Sequence, residues 1–134
     1  MLLASGCYKK SSEQAFTLDI NGHVLKVETA DEPGEMVQGL SGRPGLCADC
    51  GMLFQYSDYQ IRNFWMNKMN FPLDIIWLKD NVIVGIAADV PILTDGEITR
   101  LSSPEAVNRV LEVNAGWVAQ NGVKVGDEVE FQSP

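Results

Sequence analysis

The chain has 134 residues, 46 % of them apolar and 21 % charged, enough to build one core and too few for two independent domains. Eighteen acidic residues against ten basic ones give a formal net charge of −8, and no Lys/Arg stripe with interleaved aromatics offsets it, so nucleic acid is not an expected partner. A single histidine, His23, excludes multi-histidine metal centres, and it follows the hairpin dipeptide Asn21-Gly22, which marks it as a strand residue rather than a catalytic base. No metal or cofactor is expected.

At the amino terminus, Leu3-Ala4-Ser5-Gly6-Cys7 is similar to the end of a bacterial lipoprotein signal. Small residues precede a cysteine that would receive lipid, and the polar run Tyr8 to Gln14 follows as a tether. The alternative is a frayed terminus carrying an ordinary thiol. The expected organisation is a truncated signal-like segment and tether over residues 1–15 and one β-rich domain over 16–134. No run of about 18 apolar residues occurs, so lipid on Cys7 is the expected route to a membrane.

Phe16 to Ile20 alternates apolar and polar residues, Asn21-Gly22 turns the chain, and His23 to Glu28 alternates again. A two-residue turn pairs Ile20 with His23, Leu18 with Leu25 and Phe16 with Val27, which leaves one face apolar. Asp31 suits a helix N-cap and Met36 and Leu40 fall four apart, predicting a short helix over residues 32–40 that Ser41 to Gly45 ends.

Cys47-Ala48-Asp49-Cys50 lies between glycines, in a loop. Its spacing serves redox exchange, half of a zinc site or a small disulfide; a disulfide in an oxidising compartment is the favoured reading. Residues 52–54, 61–66, 74–78 and 81–87 read as short strands separated by turns. Residues 91–104 read as an irregular loop with one short strand near 98–101. Arg109 to Val113 reads as a strand, Ala115 to Gln120 as a short helix capped by Asn114, and Val123 to Phe131 as a last strand broken at Gly126-Asp127. This density of strands predicts a mainly β single domain with short helices, a β-sandwich or a barrel.

Six ordered signatures accumulate along the chain: Gln38-Gly39-Leu40-Ser41-Gly42-Arg43, Gly51-Met52-Leu53-Phe54, Phe64-Trp65-Met66, Pro72-Leu73-Asp74-Ile75, Val110 to Gly116, and Gly126-Asp127. Together they resemble the family called domain of unknown function 192, from about Val27 to Val129. The resemblance implies a compact β-sandwich or barrel-like domain, frequently exported or tethered in bacteria and archaea, with no settled activity. One departure is the Lys-Asn pair usual after Phe-Trp-Met, which stands here inverted as Asn67-Lys68.

Asp74 and Glu112 are acids set among large apolar neighbours, which must find hydrogen bonds or a cation. Each could lock a loop or turn. Alternatively, Asp74, Glu112, Arg62, Lys68, Asn114 and an aromatic platform from Trp65 could converge on one rim and bind a polar ligand. Trp65 and Trp77 lie on apolar strands, where an aromatic is more often core than binding platform. No G-x-S-x-G, H-E-x-x-H or G-x-x-x-x-G-K motif is present. The expectation is therefore a non-catalytic cell-envelope module for a polar small molecule, a glycan or an envelope protein. The alternatives are a hydrolase using Asp74 and Glu112 as paired carboxylates, or a thiol-redox accessory protein using Cys47 and Cys50.

Overall fold

A computed structural model describes residues 16–132; Cys7 and the signal-like segment lie outside them. The elements run β1 (Phe16–Ile20), β2 (His23–Ala30), α1 (Pro33–Gln38), β3 (Cys50–Gln60), β4 (Asn63–Trp65), β5 (Leu73–Lys79), β6 (Val82–Val90), β7 (Arg100–Ser102), β8 (Val107–Asn114), α2 (Trp117–Gln120) and β9 (Val129–Gln132). Seven strands form one sheet in the order β6-β5-β8-β3-β2-β1-β9, and β4 and β7 form a separate two-stranded ribbon. All pairings are antiparallel except β2 with β3, whose parallel register requires the crossover that α1 and the Cys47–Cys50 loop supply. The sheet curls until its edges meet at one end, where Ile83 N–H donates to Asp127 O (3.0 Å) and Val129 N–H to Asn81 O (2.8 Å). The result is a half-barrel, within the sandwich-or-barrel class expected.

The first hairpin has the register that its sequence dictates: Ile20 opposes His23, Leu18 opposes Leu25 and Phe16 opposes Val27. Asn21 (φ 54°) and Gly22 (φ 86°) are both left-handed, as a two-residue turn matched to the strand twist requires.

Both faces of the central strands are covered, which accounts for the nearly unbroken apolar runs in β5 and β8. Side chains alternate across a strand, so residue parity assigns them. Ile76, Leu78, Leu111 and Val113 face the concave interior with Leu18, Leu25, Val27, Leu53 and Trp117. Leu73, Ile75, Trp77 and Val110 face outward, under α1, the β4–β7 ribbon and Met66 and Met69. Two cores share one sheet.

Several boundaries differ from expectation. The 61–66 segment forms no strand of the main sheet; three of its residues pair with β7 and lie over the outer core. Helix α1 begins after Glu32 rather than Asp31, because Glu35 Oε1 accepts the N–H groups of both Asp31 (3.2 Å) and Glu32 (3.3 Å). Asn114 does not cap α2. Gly116 (φ 95°) takes that position, and the N–H groups of Gly116 (3.1 Å) and Val118 (2.9 Å) donate to Asp74 Oδ2, a buried charged acceptor from another strand. Val123 is buried in the loop after α2, so the last strand is shorter than its apolar residues imply.

Candidate functional site

The outer face of the sheet carries a pocket of about 180 Å³, roofed by α1 and its C-terminal turn and walled by the β4–β7 ribbon. Phe54, Tyr56, Phe64 and Trp65 supply aromatic lining, Met36, Leu40 and Met69 aliphatic lining, and Glu112 the acid. Phe64 meets Phe54 edge-on at 4.9 Å between ring centroids and Trp77 at 5.7 Å, which fixes the wall against the sheet. Trp65 is 47 % exposed at the mouth, with the Arg100 guanidinium 5.3 Å from its ring centre.

Glu112 is only 6 % exposed. Burial alone pushes its carboxyl up to about 8. Among the described residues no group donates a hydrogen bond to its oxygens and no sealed side-chain oxygen or nitrogen lacks a partner, so the carboxyl keeps its contact with the pocket that it lines. The contrast with Glu28 is direct. Register places Glu28, Met52, Glu112 and Ile75 in one row across β2, β3, β8 and β5. Glu28 is given a cation: Arg43 donates to both of its oxygens, at 2.7 and 2.8 Å, and these bonds hold its carboxyl below the ordinary range against the opposing effect of burial. Glu112, more deeply buried, is given none.

Gly39 allows the roof to sit this low. At φ 52° and ψ −130° it adopts a conformation that L-residues avoid, and a Cβ there would lie 3.2 Å from Phe54 Cζ and 4.0 Å from Glu112 Oε1. Gly39→Ala is therefore expected to cost about 1–3 kcal/mol and to shrink the pocket. Urea denaturation checks the stability; an unchanged midpoint would show that the turn relaxes freely.

Of the six residues that sequence suggested for one rim, the structure brings Trp65 and Glu112 into this pocket. Asp74 is fully buried on the opposite face, where three backbone N–H groups saturate it: Asp89 on Oδ1 (2.8 Å) and Gly116 and Val118 on Oδ2. The face assignment follows from register, since Asp74 opposes Val113 while Ile75 opposes Glu112. The two acids thus lie on opposite sides of one sheet and share no cleft. Arg62 stacks 3.7 Å from the Tyr56 ring centre and is held by Val107 O (3.0 Å) and Asp58 (2.8 Å), which makes it a support behind a lining residue. Lys68 is exposed outside the lining. Asn114 donates to Leu46 O (3.0 Å) and Cys47 O (2.9 Å), holding the cysteine loop instead of a ligand.

Sequence reasoning missed Tyr56, Asn63 and the α1 turn. The signal was there in part: Gly39 belongs to a quoted signature, but only the fold reveals what passes over what.

Cys47 and Cys50 are joined as a disulfide, with Cα atoms 5.2 Å apart. Closing so short a loop contributes about 2 kcal/mol. The Cys47→Ser/Cys50→Ser double variant should lose roughly that amount by urea denaturation, and a loss of more than twice as much would mean that the loop organises the adjoining strands.

No group of three or more potential metal-ligating side chains occurs among the described residues. No curated protein matches the chain. Two crystal structures resemble it. One is a protein from Sinorhizobium meliloti 1021 described as a candidate transcription regulator, 32 % identical, with TM-score 0.78, covering 87 % of this chain and 92 % of that one. The other is a protein of unknown function from Novosphingobium aromaticivorans DSM 12444, 32 % identical, with TM-score 0.79, covering 87 % and 84 %. A family model, DUF192, described as "Uncharacterized ACR", matches residues 16–131, nearly the whole described domain. With that span, and with the half-barrel and its ordered signatures in place, the chain belongs to the DUF192 family.

Proposed function

We propose that the domain is a non-catalytic binding module whose site is the outer pocket between β8, α1 and the β4–β7 ribbon. One observation carries the proposal: a buried carboxyl, unpaired by any of the described residues, faces a partly enclosed aromatic cavity. Leaving such a group without a partner costs free energy, and an occupant with a polar head and an apolar flank removes that cost. The volume is below the ~300 Å³ usual for drug-sized ligands, which points to a small molecule or the head group of a larger one. A glycan end or a side chain of an envelope protein meets the same description.

Hydrolysis by paired carboxylates has no support from the placement of Asp74 and Glu112 on opposite faces. The description of the Sinorhizobium neighbour does not extend readily to this chain, whose net charge of −8 would repel a phosphate backbone.

The proposed address is the cell envelope, with the domain exported or tethered through lipid on Cys7. The paired Cys47 and Cys50 and the small residues before Cys7 support that reading. Intact-mass measurement on protein from its native host tests it; an unmodified full-length amino terminus overturns the lipid anchor.

The binding proposal is tested by a thermal-shift screen of polar metabolites, sugars and amines on wild type and Glu112→Gln. A ligand at 100 times its Kd stabilises the wild type by about 2.7 kcal/mol. The expected result is a shift that shrinks in the variant, whereas hits that shift both proteins equally would place binding elsewhere.

A further inference from the structure

Resting on that reading, we infer that the occupant is a small alkylammonium cation, its nitrogen paired with the Glu112 carboxylate and its carbon groups lying against Phe54, Phe64 and Trp65. The argument starts from what the pocket lacks. Among the described residues no Lys or Arg lines it, although the row that holds Glu112 supplies Arg43 to its other acid, Glu28. A buried carboxylate needs a counter-charge, and here that charge is left for the ligand to bring.

The lining suits an alkylated cation better than a hydrated metal ion. One carboxylate cannot replace the six or more oxygens of a hard cation's shell. Aromatic rings attract organic cations through the negative face of the π-system, and Met36, Leu40 and Met69 favour methyl and methylene groups. The domain's overall negative charge draws cations toward its surface.

The charged and titratable groups around Glu112 do not reverse this. From α1, Met36, Val37 and Gln38 line the pocket, and none is ionisable; Glu35 lies in the neighbouring depression with Glu28 and Arg43. From β4 come Asn63, Phe64 and Trp65, all uncharged. From β3 comes Tyr56, a phenol that burial keeps neutral above its ordinary range. Arg62, whose charge would oppose a cation, does not line the pocket; it stacks on the Tyr56 ring and is paired with Asp58 at 2.8 Å. Arg100 sits over Trp65 at the rim.

Binding therefore exchanges a proton for a cation. Below the Glu112 pKa of about 8, an ammonium must first displace the carboxyl proton, so affinity rises with pH and then levels off. A neutral ligand shows no such gain.

The test uses two matched pairs on the folded protein: choline with its uncharged isostere 3,3-dimethylbutan-1-ol, and n-butylammonium with n-butanol. Heteronuclear NMR titration at pH 6, 7 and 8 gives Kd and locates the perturbed amides. The expected result is that at least one cation binds ten-fold or more tighter than its isostere at pH 8. Its affinity should rise roughly fifty-fold from pH 6 to 8, the change in ionised fraction of a group with that pKa. Glu112→Gln should abolish the preference for the cation. Isosteres that bind as tightly as the cations overturn the charge assignment and leave the pocket as a binding site for neutral molecules. No binding by any of the four at 50-fold excess over millimolar protein overturns the alkylammonium class, while the wider screen decides separately whether the pocket binds anything.

Discussion

Asp74→Ala will lower the melting temperature on the order of 10 °C or more, the largest effect of any single side-chain truncation considered. The carboxylate accepts N–H groups from Asp89, Gly116 and Val118, and it is wholly buried. Truncation leaves three donors without a partner in a site that water does not reach. Each orphaned group costs about 1–3 kcal/mol, so the total is several kcal/mol. For a domain of this size each kcal/mol moves the transition by about 3–6 °C. Two of the donors begin α2, and the third belongs to Asp89, whose backbone is left-handed at φ 53°. Asp74→Asn is expected to recover part of the loss, because its carbonyl oxygen in the Oδ2 place still accepts from Gly116 and Val118, while its NH2 group opposes only the Asp89 N–H. Calorimetry decides the matter: a shift below about 3 °C for Asp74→Ala would mean that the three donors find other acceptors and that Asp74 does not hold the α2 end in place.

Glu112→Gln will have the opposite sign. Burial raises the folded-state carboxyl to about 8 from an ordinary 4.5, so between those values the unfolded chain releases a proton that the folded chain retains. Stability from this group is therefore complete below pH 4.5 and declines as pH rises, until the folded carboxyl also ionises near pH 8. Each tenfold gap in proton affinity is worth about 1.4 kcal/mol, which sets a ceiling near 5 kcal/mol. The variant and the wild type should be equally stable at pH 4, with the variant ahead by up to that amount at pH 9. Urea denaturation across this range gives the comparison; parallel curves would show that the carboxyl is as well solvated folded as unfolded.

Much of the architecture could be read from local pattern. The first hairpin was specified by alternation and by one Asn-Gly pair, down to the partner of each residue. The short apolar run Ile75 to Leu78 was legible as strand, but its unbroken character carried a second message: it is buried on both faces. That message separates Asp74 from Glu112. In sequence the two acids look alike, each flanked by aliphatic residues, and only the β5–β8 register shows that one faces three donors and the other a cavity. Asn114 gave a misleading signal for the same kind of reason. It has the chemistry of a helix cap, but a carboxylate from β5 already serves α2, and the Asn amide holds the Leu46 and Cys47 carbonyls. Local chemistry states what a polar group needs, and topology decides who supplies it.

The placement of two cores on one sheet also divides the labour of β8 by parity. Leu111 and Val113 fasten the concave interior, whereas Val110 and Glu112 meet α1 and the ribbon, structures that contribute nothing to that interior. A single thickness of backbone insulates one set from the other. The recognition chemistry on the convex side can consequently be rewritten, residue by alternate residue, while the barrel beneath it stays as it is.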